Sequence, residues 1–167
     1  IGFTASQTGS LNLESTRQIN GLNLCMEQVN EEGIALDDGT VVTFESVFYD
    51  DESNNDRVQE LYTRLATEDE ADFLISPYSS GLTASASVIA EQYGKVMITT
   101  GAASDSNYKQ GYTLVYQAYT PASKYLTGAI DMLGAKAPDV KRIAIVHEND
   151  KFSTDVATAA NAYALEK

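Results

Sequence analysis

The stretch "FLISPYSSGLTAS", residues 73–85, decides how the chain folds. An apolar, strand-like run ends in two adjacent serines and a glycine, and a helix-like sequence begins at once. A strand that passes directly into a helix leaves backbone N–H groups without intrahelical partners. In α/β folds, such corners at the carboxyl ends of strands are where ligands bind. The stretch therefore predicts an α/β fold and a candidate binding corner at Ser79, Ser80 and Gly81.

The same alternation of strand-like and helix-like segments continues along the chain. The predicted strands are residues 1–5, 40–50, 72–76, 95–100, 113–118 and 142–147, and the predicted helices cover 14–32, 83–93 and 121–133, with two more beginning near Ser53 and Ser153. The last predicted strand, "RIAIVH", is an apolar run typical of a strand covered on both faces. Strands that alternate with helices favour a mostly parallel sheet flanked by helices.

Local signals predict two helix starts and one buried thiol. Ser53 followed by Asp56 resembles a capping box, and Ser153 is the predicted cap of the last helix. Cys25 lies on the apolar side of the first predicted helix, so we expect its thiol to be buried and inert. With one cysteine and one histidine, His147, the chain cannot form an internal disulfide, a thiolate metal cluster or a three-histidine zinc site. We expect no cofactor and no metal.

Composition limits the classes of partner. The 167 residues carry 11 Lys and Arg against 24 Asp and Glu, a formal net charge of −13. Such a charge argues against nucleic acid and against anionic membrane surfaces as partners. No apolar run approaches the roughly 18 residues that a membrane span needs, and no signal peptide is visible. Because the first residues already read as a strand, we expect the sequence to begin inside a mature or trimmed domain.

A second corner follows the strand "KVMITT". In "TTGAAS", residues 99–104, the small residues Gly101, Ala102 and Ala103 would let a ligand approach the backbone closely. Each corner also has a purely structural interpretation, since Ser80 could simply cap its own helix and residues 99–104 could be an ordinary loop. Two such corners on neighbouring strands favour a binding site more strongly than either one alone.

The sequence lacks the common catalytic and nucleotide-binding motifs. The loop "TGSLN" after the first strand matches neither G-x-G-x-x-G nor G-x-x-x-x-G-K-[ST]. There is no G-x-S-x-G elbow, and His147 has no evident nucleophile partner. An α/β enzyme remains an alternative, but it needs a set of acid, base and nucleophile that these strand ends do not supply.

Five segments carry a resemblance to a known family: "IGFTASQTG" with "NGLNLCMEQVNEEGI", "YDDESN", "LISPYSSGLTAS", "KVMITTGAAS" and "RIAIVHENDKFSTD". In this order and nearly this spacing they resemble the type I periplasmic binding proteins. The subgroup is similar to the branched-chain amino acid and amide binders that feed ABC transporters. The likeness runs over essentially the whole chain, and the five collinear segments together are more specific than any one of them.

The resemblance implies a two-lobe clamp with a ligand cleft between α/β lobes joined by three crossovers. In such proteins the serine pair holds the ligand carboxylate together with backbone groups after the next strand. The implied ligand-binding residues are Tyr78, Ser79, Ser80, Gly101, Ala102, Ala103, Phe152 and Glu14. Residues 1–120 would form the N-terminal lobe without its return segment, and residues 121–167 would begin an incomplete second lobe.

Four of these positions depart from the family pattern. Ala103 stands where the family has a threonine that helps to hold the amino group, although Ser104 could replace it with a one-residue shift. Glu14 aligns with a cleft aromatic residue, Phe152 lacks the hydroxyl of the commoner tyrosine, and Tyr78 is bulkier than usual, as in amide and urea binders. These departures leave the identity of the ligand open.

The resemblance implies a function without catalysis. We expect an extracytoplasmic solute-binding protein of an ABC importer that binds an amino acid, an amide or a small carboxylate and docks on a membrane permease. We expect it in the periplasm or outside the cell, with lipid anchoring as one option. An alternative within the same fold is the extracellular sensor domain of a receptor or histidine kinase.

Overall fold

Strands and helices alternate as predicted, and the computed structural model describes all of residues 1–167. The strands are β1 (Gly2–Ala5), β2 (Ile34–Ala35), β3 (Val41–Val42), β4 (Val47–Asp50), β5 (Phe73–Ile75), β6 (Val96–Thr99) and β7 (Val115–Gln117). The α-helices are α1 (Asn12–Glu32), α2 (Asn55–Thr67), α3 (Ser80–Gln92), α4 (Thr127–Lys136) and α5 (Lys151–Glu166). Short 3₁₀ turns cover Asp105–Asn107 and Ala122–Lys124. No helix combines the length and apolar character that a membrane crossing requires.

Five strands form one parallel sheet in the order β4-β1-β5-β6-β7. The register pairs Phe3 with Phe48 and Leu74 with Met97. Parallel pairing places the carboxyl ends of all five strands at one edge of the sheet, which is where ligands bind in open α/β sheets. The predicted fold class, a mostly parallel sheet flanked by helices, is confirmed.

The core lies where α2 and α3 cover one face of the sheet. Its buried members are Val58, Tyr62, Leu65, Ala71, Leu74, Leu82, Ala86, Ile89, Ala90 and Met97. The opposite face carries Phe3, which stacks on Phe48 at 5.2 Å between ring centroids, and Phe48 lines a pocket together with Ile19 of α1. The sheet therefore has helices on both of its faces.

Two predicted strands differ from those in the structure. The segment predicted at 40–50 divides into β3, which pairs with β2 in a small antiparallel hairpin, and β4 of the main sheet. Residues 142–147 form no strand, and Val146 is 96% exposed. An extended segment becomes a strand only by exchanging backbone hydrogen bonds with a neighbouring strand, and no segment of the chain pairs with this one in that way.

Several helix boundaries also differ from the prediction. Helix α3 begins at Ser80 rather than at residue 83, and the segment predicted as a helix at 121–133 is a 3₁₀ turn followed by α4. Asp150 caps α5 by accepting hydrogen bonds from the N–H groups of Phe152 and Ser153, so Ser153 is not the cap. A side chain must precede the first helical turn to reach its N–H groups, and Asp150 does.

Cys25 is exposed, contrary to the prediction. The stripe of α1 that is partly buried runs through Ile19, Leu22, Met26 and Val29. Successive helix positions are rotated by about 100°, so the residue before Met26 points away from this stripe. The thiol is therefore on the outer surface of the helix.

Asn54, and not Ser53, caps α2. Its side chain accepts hydrogen bonds from the N–H groups of Asp56 at 2.9 Å and Arg57 at 3.1 Å. We expect Asn54→Ala to lower the free energy of unfolding by about 0.5–2 kcal/mol, because both N–H groups lose their acceptor. Urea denaturation measures the change. Gln59→Ala, at an exposed position of the same helix, is the matched control, and an equal effect of the two substitutions would contradict the assignment.

Candidate ligand-binding site

A cavity of about 360 Å³ lies at the carboxyl edge of the sheet. Its lining combines residues from the strand ends with residues that precede and open α5. The lining residues are Leu11, Tyr78, Ser79, Ser80, Gly101, Ala103, Tyr119, Tyr125, Glu148, Asp150, Phe152 and Ser153. The cavity is thus bounded by elements from both sides of residue 120.

The first wall is the start of α3. Ser79 occupies the N-cap position without a capping side-chain hydrogen bond, and Ser80 is 2% exposed. The N–H groups of Ser80 and Gly81 have no acceptor within the chain, and the positive end of the helix dipole adds to their pull on an anion. The Ser80 hydroxyl accepts a hydrogen bond from the Ser104 N–H at 3.2 Å, so it does not cap its own helix. The proton of that hydroxyl has no acceptor in the chain.

The second wall is the turn after β6. Gly101 and Ala103 line the cavity, and their N–H groups also lack acceptors within the chain. A Cβ at Gly101 would lie 3.0 Å from Gln18 Oε1 and 3.1 Å from Tyr78 Cδ2, so a larger residue would crowd both. A side chain at this position therefore requires Gln18 or Tyr78 to move by a few tenths of an ångström.

Gln18 joins the two walls. Its side-chain amide donates hydrogen bonds to the Ser76 carbonyl at 2.9 Å and to Thr100 Oγ1 at 2.6 Å. These partners follow β5 and β6 respectively, so one side chain from α1 fixes the spacing of the two corners. Sequence reasoning missed Gln18, because nothing in its local pattern distinguishes it from the other polar residues of α1.

The third wall is aromatic. Tyr78, Tyr119, Tyr125 and Phe152 contribute to it, and Phe152 meets Tyr125 edge to face at 5.3 Å between ring centroids. Burial and the neighbouring Tyr119 raise the pKa of Tyr125 to about 12. Burial, followed by the nearby charge of Glu14, raises the pKa of Tyr78. Both phenols are therefore neutral and able to donate at physiological pH.

The charged residues of the lining are all acidic. Glu148 and Asp150 line the cavity, which contains no Lys, Arg or His. Although partial burial acts to raise it, hydrogen bonds from Ser153 and Phe152 hold the pKa of Asp150 below its usual value. Asp150 is engaged as a helix cap, whereas no hydrogen bond engages the Glu148 carboxylate. No group of three or more His, Cys, Asp or Glu side chains is arranged to hold a metal ion.

The structure brings together six of the eight predicted site residues. Tyr78, Ser79, Ser80, Gly101, Ala103 and Phe152 line the cavity, whereas Ala102 and Glu14 do not. Ala102 is fully buried, and its carbonyl accepts a hydrogen bond from the Tyr108 hydroxyl at 2.6 Å. Glu14 lies near Tyr78 without lining the cavity. Ligand contact by any of the eight remains a prediction.

Sequence reasoning missed six lining residues, namely Leu11, Tyr119, Tyr125, Glu148, Asp150 and Ser153. Tyr119 could have been found, because it follows the strand-like run 113–118. Glu148 and Asp150 follow the apolar run 142–147 in the same way. Tyr125 falls within the helix predicted at 121–133, but α4 begins only at Thr127, so Tyr125 lies before it, against Phe152.

A comparison with protein families matches residues 1–167 to a family described as periplasmic binding protein. The match extends over every element of the fold and every wall of the cavity.

Solved structures of similar fold were also found. The branched-chain amino acid transporter substrate-binding protein LivJ from Streptococcus pneumoniae, in complex with isoleucine, is 23% identical with a TM-score of 0.79, over 97% of this chain and 45% of that one. An ABC transporter substrate-binding protein from Desulfitobacterium hafniense, in complex with Leu, is 21% identical with a TM-score of 0.79, over 99% and 47%. A solute-binding protein from Rhodopseudomonas palustris BisB5, in complex with 3,4-dihydroxybenzoic acid, is 14% identical with a TM-score of 0.82, over 99% and 43%. The chain spans less than half the length of each.

Proposed function

The chain belongs to the periplasmic binding protein family, and from this premise we propose that it is the ligand-gripping part of a solute-binding protein that serves an ABC importer. The family consists of binding proteins, which confirms the prediction that the chain is not an enzyme. Membership also implies an extracytoplasmic location. Whether this is the periplasm or the cell exterior, with or without a lipid anchor, belongs to the proposal.

The proposed organisation is a clamp. Residues 1–120 form one lobe, and residues 121–167 begin the second, so that the cavity lies in the cleft between them. Its lining supports this arrangement, because Tyr78, Ser80 and Gly101 come from one side and Phe152 from the other. Closure on a solute would then complete the surface that a membrane permease recognises.

One observation carries the proposal: two strand-end corners with unpaired N–H groups face an aromatic wall across one cavity. In this proposal a carboxylate or amide oxygen is held by the hydroxyl of Ser80, the N–H of Ala103 and the N–H of Gly81, which follows the lining residue Ser80. Tyr78 and Phe152 would cover the apolar part of the solute. Such a site grips a solute without transforming it, because it holds no nucleophile paired with a base.

Charge favours an amino acid over an aromatic acid as the occupant. A benzoate would bring a net negative charge into a cavity that already contains Glu148 and no basic side chain. An amino acid carries an ammonium group that offsets its own carboxylate and is attracted to Glu148. The ring faces of the aromatic wall add a further attraction for a cation.

We expect L-isoleucine and L-leucine to bind the intact protein more tightly than 3,4-dihydroxybenzoate, by about tenfold or more. Titration calorimetry with the three compounds measures the difference. Glu148→Gln should reduce the difference in affinity between the amino acids and 3,4-dihydroxybenzoate. Glu166 is exposed at the far end of α5, so Glu166→Gln should leave this difference unchanged. Equal affinities in the unmodified protein would contradict the charge argument. Failure of all three compounds to bind would contradict the proposed solute class.

A further inference from the structure

We propose that Asp155 is a positioning residue for the ligand: acting through Ser104, it holds the hydroxyl of Ser80 in the orientation that the cavity requires. Asp155 does not line the cavity, and it is not among the ligand-binding residues that the sequence predicts. The inference rests on the proposed function, because it assigns a role within the same site.

The Asp155 carboxylate is engaged by the loop that follows β6. One of its oxygens accepts hydrogen bonds from the Ser104 hydroxyl and from the Ser106 N–H, the latter at 3.1 Å. Although partial burial acts to raise it, these hydrogen bonds hold the pKa of Asp155 below its usual value, with Lys151 contributing. The side chain is therefore ionised at neutral pH and can only accept.

Ser104 relays this contact to the site. It is fully buried, its hydroxyl proton is directed to Asp155, and its backbone N–H donates to Ser80 Oγ at 3.2 Å. The hydroxyl and the backbone N–H of Ser104 are thus each held by one acceptor, Asp155 and Ser80 respectively. A shift of the Asp155 carboxylate would move the N–H that contacts Ser80.

This contact constrains the Ser80 hydroxyl. A serine hydroxyl rotates freely until one of its lone pairs is engaged, and the Ser104 N–H engages one here. The Ser80 carbonyl also accepts a hydrogen bond from Asn107 Nδ2 at 2.9 Å, so the backbone of the residue is held as well. Because both the hydroxyl oxygen and the backbone of Ser80 are held, the unpaired hydroxyl proton already points in one direction before the solute binds. Less conformational entropy is then lost on binding.

The placement of Asp155 links it to the second side of the cleft. It lies one turn after Phe152 on α5. A single helix therefore supplies both an aromatic residue of the cavity wall and the carboxylate that holds Ser104. Asp105, in the same loop, accepts hydrogen bonds from the Ser123 N–H and hydroxyl at 2.8 Å each. Movement of α5 would therefore change the aromatic wall and the Ser80 donor together.

The first arm of the test needs no solute. In the unliganded intact protein, Asp155→Ala should shift the ¹H–¹⁵N resonance of the Ser104 amide and raise its hydrogen-exchange rate by about tenfold or more. Asp155→Asn keeps an acceptor oxygen and should restore most of the protection. The matched control is Asp131→Ala, which removes a carboxylate on α4 bonded by Tyr163 and Lys167. An unchanged Ser104 amide in Asp155→Ala overturns the proposal.

The second arm measures binding of L-isoleucine. Asp155→Ala should raise its dissociation rate by about tenfold with little change in the association rate, while Asp131→Ala leaves both unchanged. A shifted Ser104 amide with unaltered L-isoleucine kinetics overturns the positioning role. If the unmodified protein does not bind L-isoleucine, the proposed solute class is wrong. The measurement on the Ser104 amide then still shows whether Asp155 fixes the position of Ser104. Should Asp155→Ala not fold, Ser104→Ala removes the same relay hydroxyl and should give the same loss of affinity.

Discussion

Ser80→Ala is expected to weaken the binding of L-isoleucine by about 1–3 kcal/mol, or roughly five- to 150-fold in the dissociation constant. Ser80 is 2% exposed, and its hydroxyl accepts a hydrogen bond from Ser104 but donates to no acceptor in the chain, so a carboxylate oxygen of the solute would be its partner. Removing it takes away one of the donors that hold that oxygen. Titration calorimetry on the intact protein measures the loss.

A matched control separates this loss from a general effect on α3. Ser85 lies on the same helix, where its hydroxyl donates to Asn55 Oδ1 at 2.9 Å, away from the cavity. Ser85→Ala makes the same chemical change and should leave the affinity within about twofold of the unmodified protein. If the two variants bind L-isoleucine equally well, Ser80 does not contact the solute. Thermal unfolding of both variants shows whether Ser80→Ala is still folded.

Leu65→Ala is expected to lower the free energy of unfolding by about 2–5 kcal/mol. Leu65 is fully buried in the core between α2 and the sheet, and it packs so closely on β1 that a Cβ at Gly2 would lie 3.1 Å from its Cδ2. Truncation both removes apolar contacts and leaves a cavity that this close packing cannot readily fill. Because a domain of this size is stable by about 5–15 kcal/mol, the loss is a large fraction of the total.

Leu165→Ala is the control for this substitution. Leu165 is also helical, so the change in helix propensity is the same, but its side chain is 80% exposed on α5. Its truncation should alter the free energy of unfolding by no more than about 0.5 kcal/mol. Urea denaturation followed by circular dichroism measures both variants. Similar losses at the two positions would show that the α2 face is not the main core.

The positions of the site that could be predicted are those next to a strand end. Ser80 and Gly101 follow β5 and β6, and the apolar run before each of them is visible in the sequence. Gln18 and Asp155 could not be predicted, because each acts on a partner more than 45 residues away along the chain. The sequence around Gln18 on α1 and around Asp155 on α5 does not indicate these contacts.

Errors in the predicted elements have the same origin. The run at 142–147 has the composition of a buried strand, but a strand needs a second segment to pair with, and composition does not reveal one. Cys25 has apolar neighbours in sequence, but the direction in which it points depends on which stripe of α1 meets the sheet. Local pattern cannot decide either question.

The sequence by itself determined the alternation of strands and helices, the parallel sheet, and the two corners rich in serine, glycine and alanine. These follow from apolar periodicity and from residues with particular backbone preferences, which act over a few positions. Only the tertiary structure decided that Tyr119, Tyr125 and Glu148 join the site and that Asp155 braces Ser104. Contacts between distant segments depend on how helices pack on the sheet, and that packing is a property of the whole core.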